Sequence, residues 1–175
     1  MSTTIAIVGA GAIGGALAHR LARSEHASRV LLIDPSVGVA AGKALDINQA
    51  GPVERFDTHV SGAGLDEVIG ASVVVLADPA ERPDGDWTGE EAADWLERIA
   101  GLVRRAPLVL AGAAHGPLVA HAVERLGIDP RRVIGSAPIG FNSALRAIVA
   151  LEAGVSPSQV AVSVVGNPPE HPVIG

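Results

Sequence analysis

The sequence predicts an α/β domain with a doubly wound parallel sheet, and two features indicate this fold class. Short runs of Val, Ile and Leu, bounded by Gly and Pro, alternate along the 175 residues with longer stretches of helical pattern. The short runs are apolar at consecutive positions, which is typical of strands that helices cover on both faces. Regular alternation of such strands with helices is the pattern of a doubly wound sheet.

The strands and helices of this sheet can be assigned as far as about Ala153. The predicted strands are Thr4–Gly9, Val30–Asp34, Thr58–Ser61, Val73–Ala77, Leu108–Ala111 and Val133–Gly135. The predicted helices are Ile13–Ser24, Val37–Ala50, Gly89–Arg105, Pro117–Leu126 and Phe141–Ala153. Aromatic residues make up only 2% of the chain, so the core must consist of Ala, Val, Leu and Ile.

A seventh strand, Val160–Gly166, is predicted near the end of the sequence. It is followed by a proline-rich stretch and has no helix and no visible partner, which is unfavourable for a strand at a sheet edge. We therefore expect one domain over residues 1–154 and the beginning of a second, truncated domain over residues 155–175.

Composition excludes several classes of function. The 13 basic and 19 acidic residues give a net charge of −6, which disfavours nucleic acid and anionic membranes as partners. No cysteine is present, so disulfides and thiolate metal sites are excluded. Asp84, Asp86, Glu90 and Glu91 lack the spacing of a metal-binding loop, and no metal is predicted.

The apolar run from residue 5 to residue 18 has no preceding Lys or Arg, so we expect a cytoplasmic protein.

The segment after the first strand carries Gly9, Gly11 and Gly14 in the spacing GxGxxG. In this motif the first glycine permits a tight turn, the second lets the backbone approach a diphosphate, and the third lets the helix pack closely on the strand. The helix N-terminus presents N–H groups and the positive end of its dipole to the phosphates. The motif predicts a Rossmann-type dinucleotide-binding domain; a glycine-rich turn without a ligand is the alternative.

Asp34 ends the second strand about 20 residues after Gly14, where an acidic residue binds the ribose hydroxyls of adenosine. Its carboxylate would repel a 2′-phosphate, so NAD is predicted as the cofactor rather than NADP. A helix cap is the alternative role for Asp34. We add Ala12 and Ile13 of the same turn, and Ala77 at the end of the fourth strand, to the predicted cofactor contacts.

Five further stretches resemble the lactate/malate dehydrogenase family. They are Leu31–Asp34, Gly42–Ile47, Ala71–Leu76, Arg131–Gly135 and Leu151–Val155. The resemblance runs through the whole chain in nearly ungapped register. It implies a two-domain, NAD-dependent 2-hydroxyacid dehydrogenase of roughly double this length. Residues 155–175 would then begin its substrate domain, and the helix over residues 37–50 would lie across a homodimer interface.

The sequence departs from the family pattern at the catalytic positions. The family's second loop arginine falls on Thr88, and its Asn-Pro pair falls on Ala113–Ala114. Its Asp-x-x-Arg falls on Phe141 with Ala144, and its catalytic histidine falls on Pro168. Hydride transfer to a 2-keto acid needs a proton donor beside the carbonyl and a fixed cation for the carboxylate. Residues that act as a unit fail together, so we expect this chain alone to be inactive.

Two residues remain as catalytic candidates by this resemblance. Arg82 matches the first loop arginine, and His171, three positions after Pro168, could act as a displaced acid or base. His115, at the end of the fifth strand, is a weaker candidate. For both histidines an ordinary loop residue is the alternative, and Glu170 is not expected to orient His171 because consecutive side chains diverge.

The sequence therefore predicts the NAD-binding domain of a malate/lactate-dehydrogenase-like oxidoreductase that has lost its catalytic residues. A non-catalytic NAD-binding or scaffold module is the alternative. The expected ligands are NAD and a small 2-hydroxy or 2-keto acid. A homodimer is expected through the apolar stripe of the second helix, which core packing also explains. The stripe comprises Val37, Ala40, Ala41, Ala44, Leu45 and Ile47.

Overall fold

The computed structural model describes residues 3–82, 85, 87–112, 115–168 and 171–175. Its centre is a sheet of six parallel strands in the order β3-β2-β1-β4-β5-β6. The strands are β1 (Thr4–Val8), β2 (Arg29–Ile33), β3 (His59–Gly62), β4 (Val73–Leu76), β5 (Leu108–Leu110) and β6 (Val133–Gly135). The predicted doubly wound parallel sheet is thus confirmed.

Helices cover both faces of the sheet. They are α1 (Ala12–Ser24), α2 (Val37–Glu54), α3 (Gly89–Leu102), α4 (His115–Ala120) and α5 (Ala137–Ala153). A π-helical turn, His121–Arg125, extends α4. The predicted start of the last helix at Phe141 was too late, because Pro138 lies in the first turn of α5, where a proline is tolerated.

Consecutive residues of the central strands point into two different apolar layers. In β2, Leu31 packs in the layer that contains Leu96 and Ile99 of α3. Leu32 packs on the opposite face, in the layer that contains the alanines of α1 and α2. Both leucines are at most 2% exposed, as expected for a strand with two buried faces.

The end of the chain differs from its prediction. The seventh strand, β7, covers Val164–Asn167 and pairs in antiparallel fashion with β8, His171–Ile174. The prediction of a longer strand without a partner is therefore wrong. The sequence pattern did not predict β8 because this strand contains a proline. A two-stranded ribbon tolerates a proline at its edge. This hairpin packs against α5, and the boundary after residue 154 stays a prediction.

The strand order determines where a ligand can bind. The chain turns from β1 through α1 to β2 on one side, whereas β4, on the other side of β1, leads to α3 and β5. Such a reversal opens a crevice at the carboxyl ends of the strands, between β1 and β4. The glycine motif and the residues after β4 meet there. Among the described residues, no helix has the length and hydropathy required to cross a membrane.

Candidate nucleotide-binding site

The turn from β1 into α1 is packed so closely that its glycines are required. Gly9 adopts φ 109° and donates its N–H to the carbonyl of Ile33 at 2.7 Å. A Cβ atom on Gly14 would lie 2.0 Å from the carbonyl oxygen of Gly9. The third glycine therefore lets α1 approach β1, which is the role expected from the motif.

Asp34 lies beside this turn and is 5% exposed. Its Oδ2 accepts hydrogen bonds from the backbone N–H groups of Ala10 at 2.8 Å and Ala80 at 3.0 Å. Its Oδ1 accepts one from the N–H of Ser36 at 2.8 Å. The carboxylate thus joins the glycine turn, the start of α2 and the segment that follows β4. The bond to Ser36 spans two residues and closes an Asx-type turn before α2, whose N-cap residue is Ser36 itself.

Asp78 is the second buried carboxylate of the site and was not predicted from the sequence. It is 3% exposed and lies two residues beyond the end of β4. Its Oδ2 accepts from the N–H of Ile13 at 3.0 Å, and its Oδ1 from the N–H of Gly14 at 2.8 Å. The signal that could have identified Asp78 is its position. Because β4 pairs with β1, a residue just after β4 lies beside the glycine turn that follows β1.

Lys43 approaches the same turn from α2. Its Nζ donates to the carbonyl oxygens of Ala10 at 2.6 Å and Gly11 at 2.8 Å. In the sequence Lys43 stands out only as part of a family-like stretch. The structure gives it a clear role: the lone lysine of the chain binds the carbonyl side of the turn, whereas Asp78 binds the amide side.

The remaining predicted cofactor contacts lie around the turn. Ala12 is exposed, Ile13 is 40% exposed, and Ala77 is buried beneath Gly14. A Cβ atom on Gly11 would lie 2.3 Å from Oδ2 of Asp78 and 2.8 Å from the carbonyl oxygen of Pro79. The surface that Gly11 leaves open is therefore covered by the protein itself. In this arrangement Asp78 occupies two of the amides that a diphosphate would use.

Arg82 and His171 are not brought together. The guanidinium of Arg82 pairs with the Glu91 carboxylate on the protein surface. His171 is exposed in β8, whose pairing partner is β7. Among the residues that the structure describes, no hydrogen bond or ion pair joins Arg82 to His171. Neither side chain is oriented by a second group toward a shared substrate position.

His115 is buried, with 7% of its surface exposed, at the N-terminus of α4. Its ring lies over Gly135, where a Cβ atom would come within 2.0 Å of Cδ2. Together with Trp87 it lines a small cavity, and within the described part of the chain neither its Nδ1 nor the Trp87 Nε1 has a hydrogen-bond partner. This buried position at the carboxyl edge of the sheet differs from the ordinary loop histidine given as the alternative.

Several positions of the sequence analysis lie outside the described residues, namely Asp84, Asp86, Ala113, Ala114 and Glu170. Of the other catalytic positions, Thr88 precedes α3, Phe141 is 38% exposed on α5, and Pro168 is buried between β7 and β8. Within the described part of the chain, no three His, Asp or Glu side chains cluster as metal ligands would.

Comparisons with known proteins agree with this fold. Residues 3–105 match the family described as lactate/malate dehydrogenase, NAD binding domain. The malate dehydrogenase of Roseiflexus sp. (strain RS-1) is 29% identical, over 95% of this chain and 56% of that protein. The malate dehydrogenase of Xanthobacter autotrophicus (strain ATCC BAA-1158 / Py2) is 36% identical, over 93% of this chain and 53% of that protein.

A solved structure gives the same result. The lactate dehydrogenase of Cryptosporidium parvum, complexed with lactic acid and nicotinamide adenine dinucleotide, matches with a TM-score of 0.81 and 25% identity. The match covers 95% of this chain and 55% of that chain. The fold and the glycine turn define a dinucleotide-binding domain of the Rossmann type.

The chain belongs to the lactate/malate dehydrogenase family, and its matched region is the NAD-binding domain of that family. The predicted family and the predicted cofactor of the domain, NAD, are thereby confirmed. The chain spans about half the length of the curated relatives that it matches.

Proposed function

We propose that this chain binds NAD across the glycine turn and serves as the nucleotide-binding part of an oxidoreductase acting on small 2-hydroxy or 2-keto acids. The observation that carries the proposal is the position of Asp34. Asp34 directly follows β2, and its carboxylate accepts a hydrogen bond from the N–H of Ala10, within the turn itself. An acidic side chain at that place is suited to the ribose hydroxyls of adenosine.

The individual cofactor contacts follow from this arrangement. The diphosphate would lie along the turn that leads into the N-terminus of α1. The residues of this contact would be Gly9, Gly11, Ala12, Ile13 and Gly14. Asp34 would bind the ribose. Ala77 would contribute only the floor beneath the turn, since its side chain is buried there.

Calorimetric titration with NAD and NADP tests this proposal. Binding of NAD with weaker binding of NADP is expected, because the Asp34 carboxylate repels the extra phosphate. The matched variant is Asp34→Asn, which removes the charge and should reduce the difference between the two cofactors. Equal affinity for NAD and NADP in the unaltered chain, or no binding of either, would contradict the proposal.

For catalysis we propose that this chain by itself does not oxidise 2-hydroxy acids. The support is the set of residues at the family's catalytic positions, among them Thr88 and Pro168. The surface ion pair of Arg82 and the exposed position of His171 add to it. These observations equally favour a non-catalytic NAD-binding module as the second candidate function.

An overnight assay separates catalysis from binding alone. The chain, at high concentration, is incubated with NAD or NADH and a panel of 2-hydroxy and 2-keto acids, and absorbance is followed near 340 nm. No turnover is expected. Turnover that Arg82→Gln or His171→Gln abolishes would show that these side chains form an active site after all.

We further propose a homodimer through the outer face of α2. Ala40, Ala44 and Ile47 of the predicted stripe are buried in the core, so core packing explains that part. Val37 and Leu45 are instead 66% and 56% exposed, which leaves an apolar surface on the helix.

Sedimentation at about tens of micromolar tests the dimer. Leu45→Glu should yield a monomer, whereas Leu151→Glu, at the 81% exposed leucine of α5, should leave the dimer intact. A monomeric unaltered chain would contradict the proposal.

A cytoplasmic location also stays a prediction, which fractionation of cells producing the protein would test.

A further inference from the structure

The carboxylate of Asp78 takes the place of an anion at the start of α1. Its two oxygens accept hydrogen bonds from consecutive backbone amides, those of Ile13 and Gly14, at 3.0 and 2.8 Å. A two-oxygen acceptor on adjacent amides at a helix N-terminus has the geometry by which phosphate groups are bound. The positive end of the helix dipole adds to the attraction.

The backbone holds this carboxylate in place. The N–H of Gly11 donates to the carbonyl oxygen of Asp78 at 2.9 Å. Gly9 also packs on the Asp78 backbone, since a Cβ atom there would lie 2.4 Å from the same oxygen. None of the ion pairs found among the described side chains involves Asp78. The described partners of its carboxylate are thus the amides of the turn.

The residues after Asp78 cover the ribose side of the crevice as well. The N–H of Ala80 donates to Oδ2 of Asp34 at 3.0 Å, and the hydroxyl of Ser36 donates to the Glu81 carboxylate. Residues 78–81, which we name the cover segment, therefore contact both places where NAD is expected to bind. The segment also brings the negative charges of Asp78 and Glu81 to a site for a negatively charged ligand.

We propose that Asp78 is an intramolecular competitor for the diphosphate of NAD and thereby sets the affinity of this chain for phosphate-bearing nucleotides. This inference rests on the proposed NAD binding at the same turn. The amides of Ile13 and Gly14 cannot serve the carboxylate and a diphosphate together, and the two anions repel each other. The cofactor binds only in the fraction of molecules from which Asp78 has withdrawn, so the apparent affinity is lowered by that fraction.

Removing the carboxylate should release the amides. Asp78→Ala is expected to raise the affinity for NAD by about tenfold or more, because the open fraction then approaches unity. Asp78→Asn retains an acceptor for one amide but carries no charge, so a smaller gain is expected. Loss of the charged cap should also lower the stability of both variants without ligand.

The experiment titrates NAD, ADP and adenosine by calorimetry into the unaltered chain, Asp78→Ala and Asp78→Asn. Asp94→Asn, which removes an exposed carboxylate on α3, is the matched control. Urea unfolding confirms that each variant is folded. The expected result is a gain in affinity for NAD and ADP in both Asp78 variants, with adenosine and the control unchanged.

The other outcomes separate this inference from the proposed function. Tight and equal NAD binding by all variants would overturn the competition by Asp78 and leave NAD binding intact. A gain for ADP without any NAD binding would support the competition and overturn the proposed cofactor. A gain as large for adenosine as for ADP would overturn the competition at the amides, since adenosine has no phosphate. Failure of every variant to bind any of the three ligands would overturn both.

Discussion

The glycine turn and β8, the second strand of the C-terminal hairpin, differ in how far neighbouring atoms restrict each residue. In the turn, an added Cβ atom on Gly9, Gly11 or Gly14 would come within 2.4 Å of another atom. In the hairpin, all four residues of β8 are exposed, and Val173 retains 61% of its surface. Residue type is therefore tied to geometry in the turn. In the hairpin the same holds at Gly166 of β7, where a Cβ atom would lie 2.5 Å from the carbonyl oxygen of His171, whereas the exposed positions of β8 accept many side chains. The packing of the turn thus ties its residues to particular roles, whereas the surroundings of His171 do not.

The largest difference between the regions should appear when a methyl group is added to the turn. Gly14→Ala places a Cβ atom 2.0 Å from the Gly9 carbonyl oxygen, and we expect a loss of about 3 kcal/mol in the free energy of unfolding. Gly38→Ala is the matched control in α2, because its Cβ atom would meet nothing within 4 Å. Urea denaturation followed by circular dichroism measures both. Equal stability of the two variants would refute the close packing of α1 on β1.

A smaller loss is expected at the buried carboxylate beside the turn. Asp34→Asn replaces one acceptor oxygen by a donor that faces backbone N–H groups, so the free energy of unfolding should fall by about 2 kcal/mol. Asp94→Asn, at an exposed position of α3, should have no measurable effect. If the two substitutions lower the free energy of unfolding equally, the three hydrogen bonds to Asp34 do not stabilise the fold.

Lys43 tests the opposite side of the turn. Lys43→Met keeps the apolar stem but removes the two hydrogen bonds to the carbonyl oxygens of Ala10 and Gly11, and we expect a loss of about 1 kcal/mol. Arg20→Met, at an exposed position of α1, controls for the loss of a positive charge. A Lys43 variant as stable as its control would show that the turn does not depend on the ammonium group.

The smallest effect is expected in the hairpin. His171→Gln should change neither the unfolding midpoint nor the affinity for NAD, because the side chain is exposed and lies outside the glycine turn. Thermal unfolding and calorimetry with NAD measure the two quantities. A clear change in NAD affinity would mean that the hairpin takes part in cofactor binding.

The sheet could be predicted from the sequence because its central strands carry apolar residues at consecutive positions, as Leu31 and Leu32 illustrate on opposite faces. The glycine motif and Asp34 could be predicted because their spacing is set by one strand, one turn and one helix. These are local relations along the chain, so no knowledge of tertiary contacts was needed.

Asp78 and the partner of β7 could not be predicted in the same way. Asp78 acts across 65 and 64 positions of sequence, on Ile13 and Gly14, and this contact exists only because β4 pairs with β1. The strand β8 carries Pro172, which breaks the ordinary strand pattern. In both cases tertiary contacts determine the structure, and the local pattern does not reveal them.

The most direct test of the account is to observe the amides of Ile13 and Gly14 while NAD binds. The ¹⁵N-labelled chain is titrated with NAD, and the resonances of these two amides are followed by nuclear magnetic resonance, with Asp78→Asn as reference for an uncharged partner. We expect both resonances to differ between the unaltered chain and Asp78→Asn before NAD is added, and to move strongly on binding as the diphosphate replaces the carboxylate. Binding of NAD that leaves the two resonances unchanged would contradict the claim that Asp78 and the cofactor share one site.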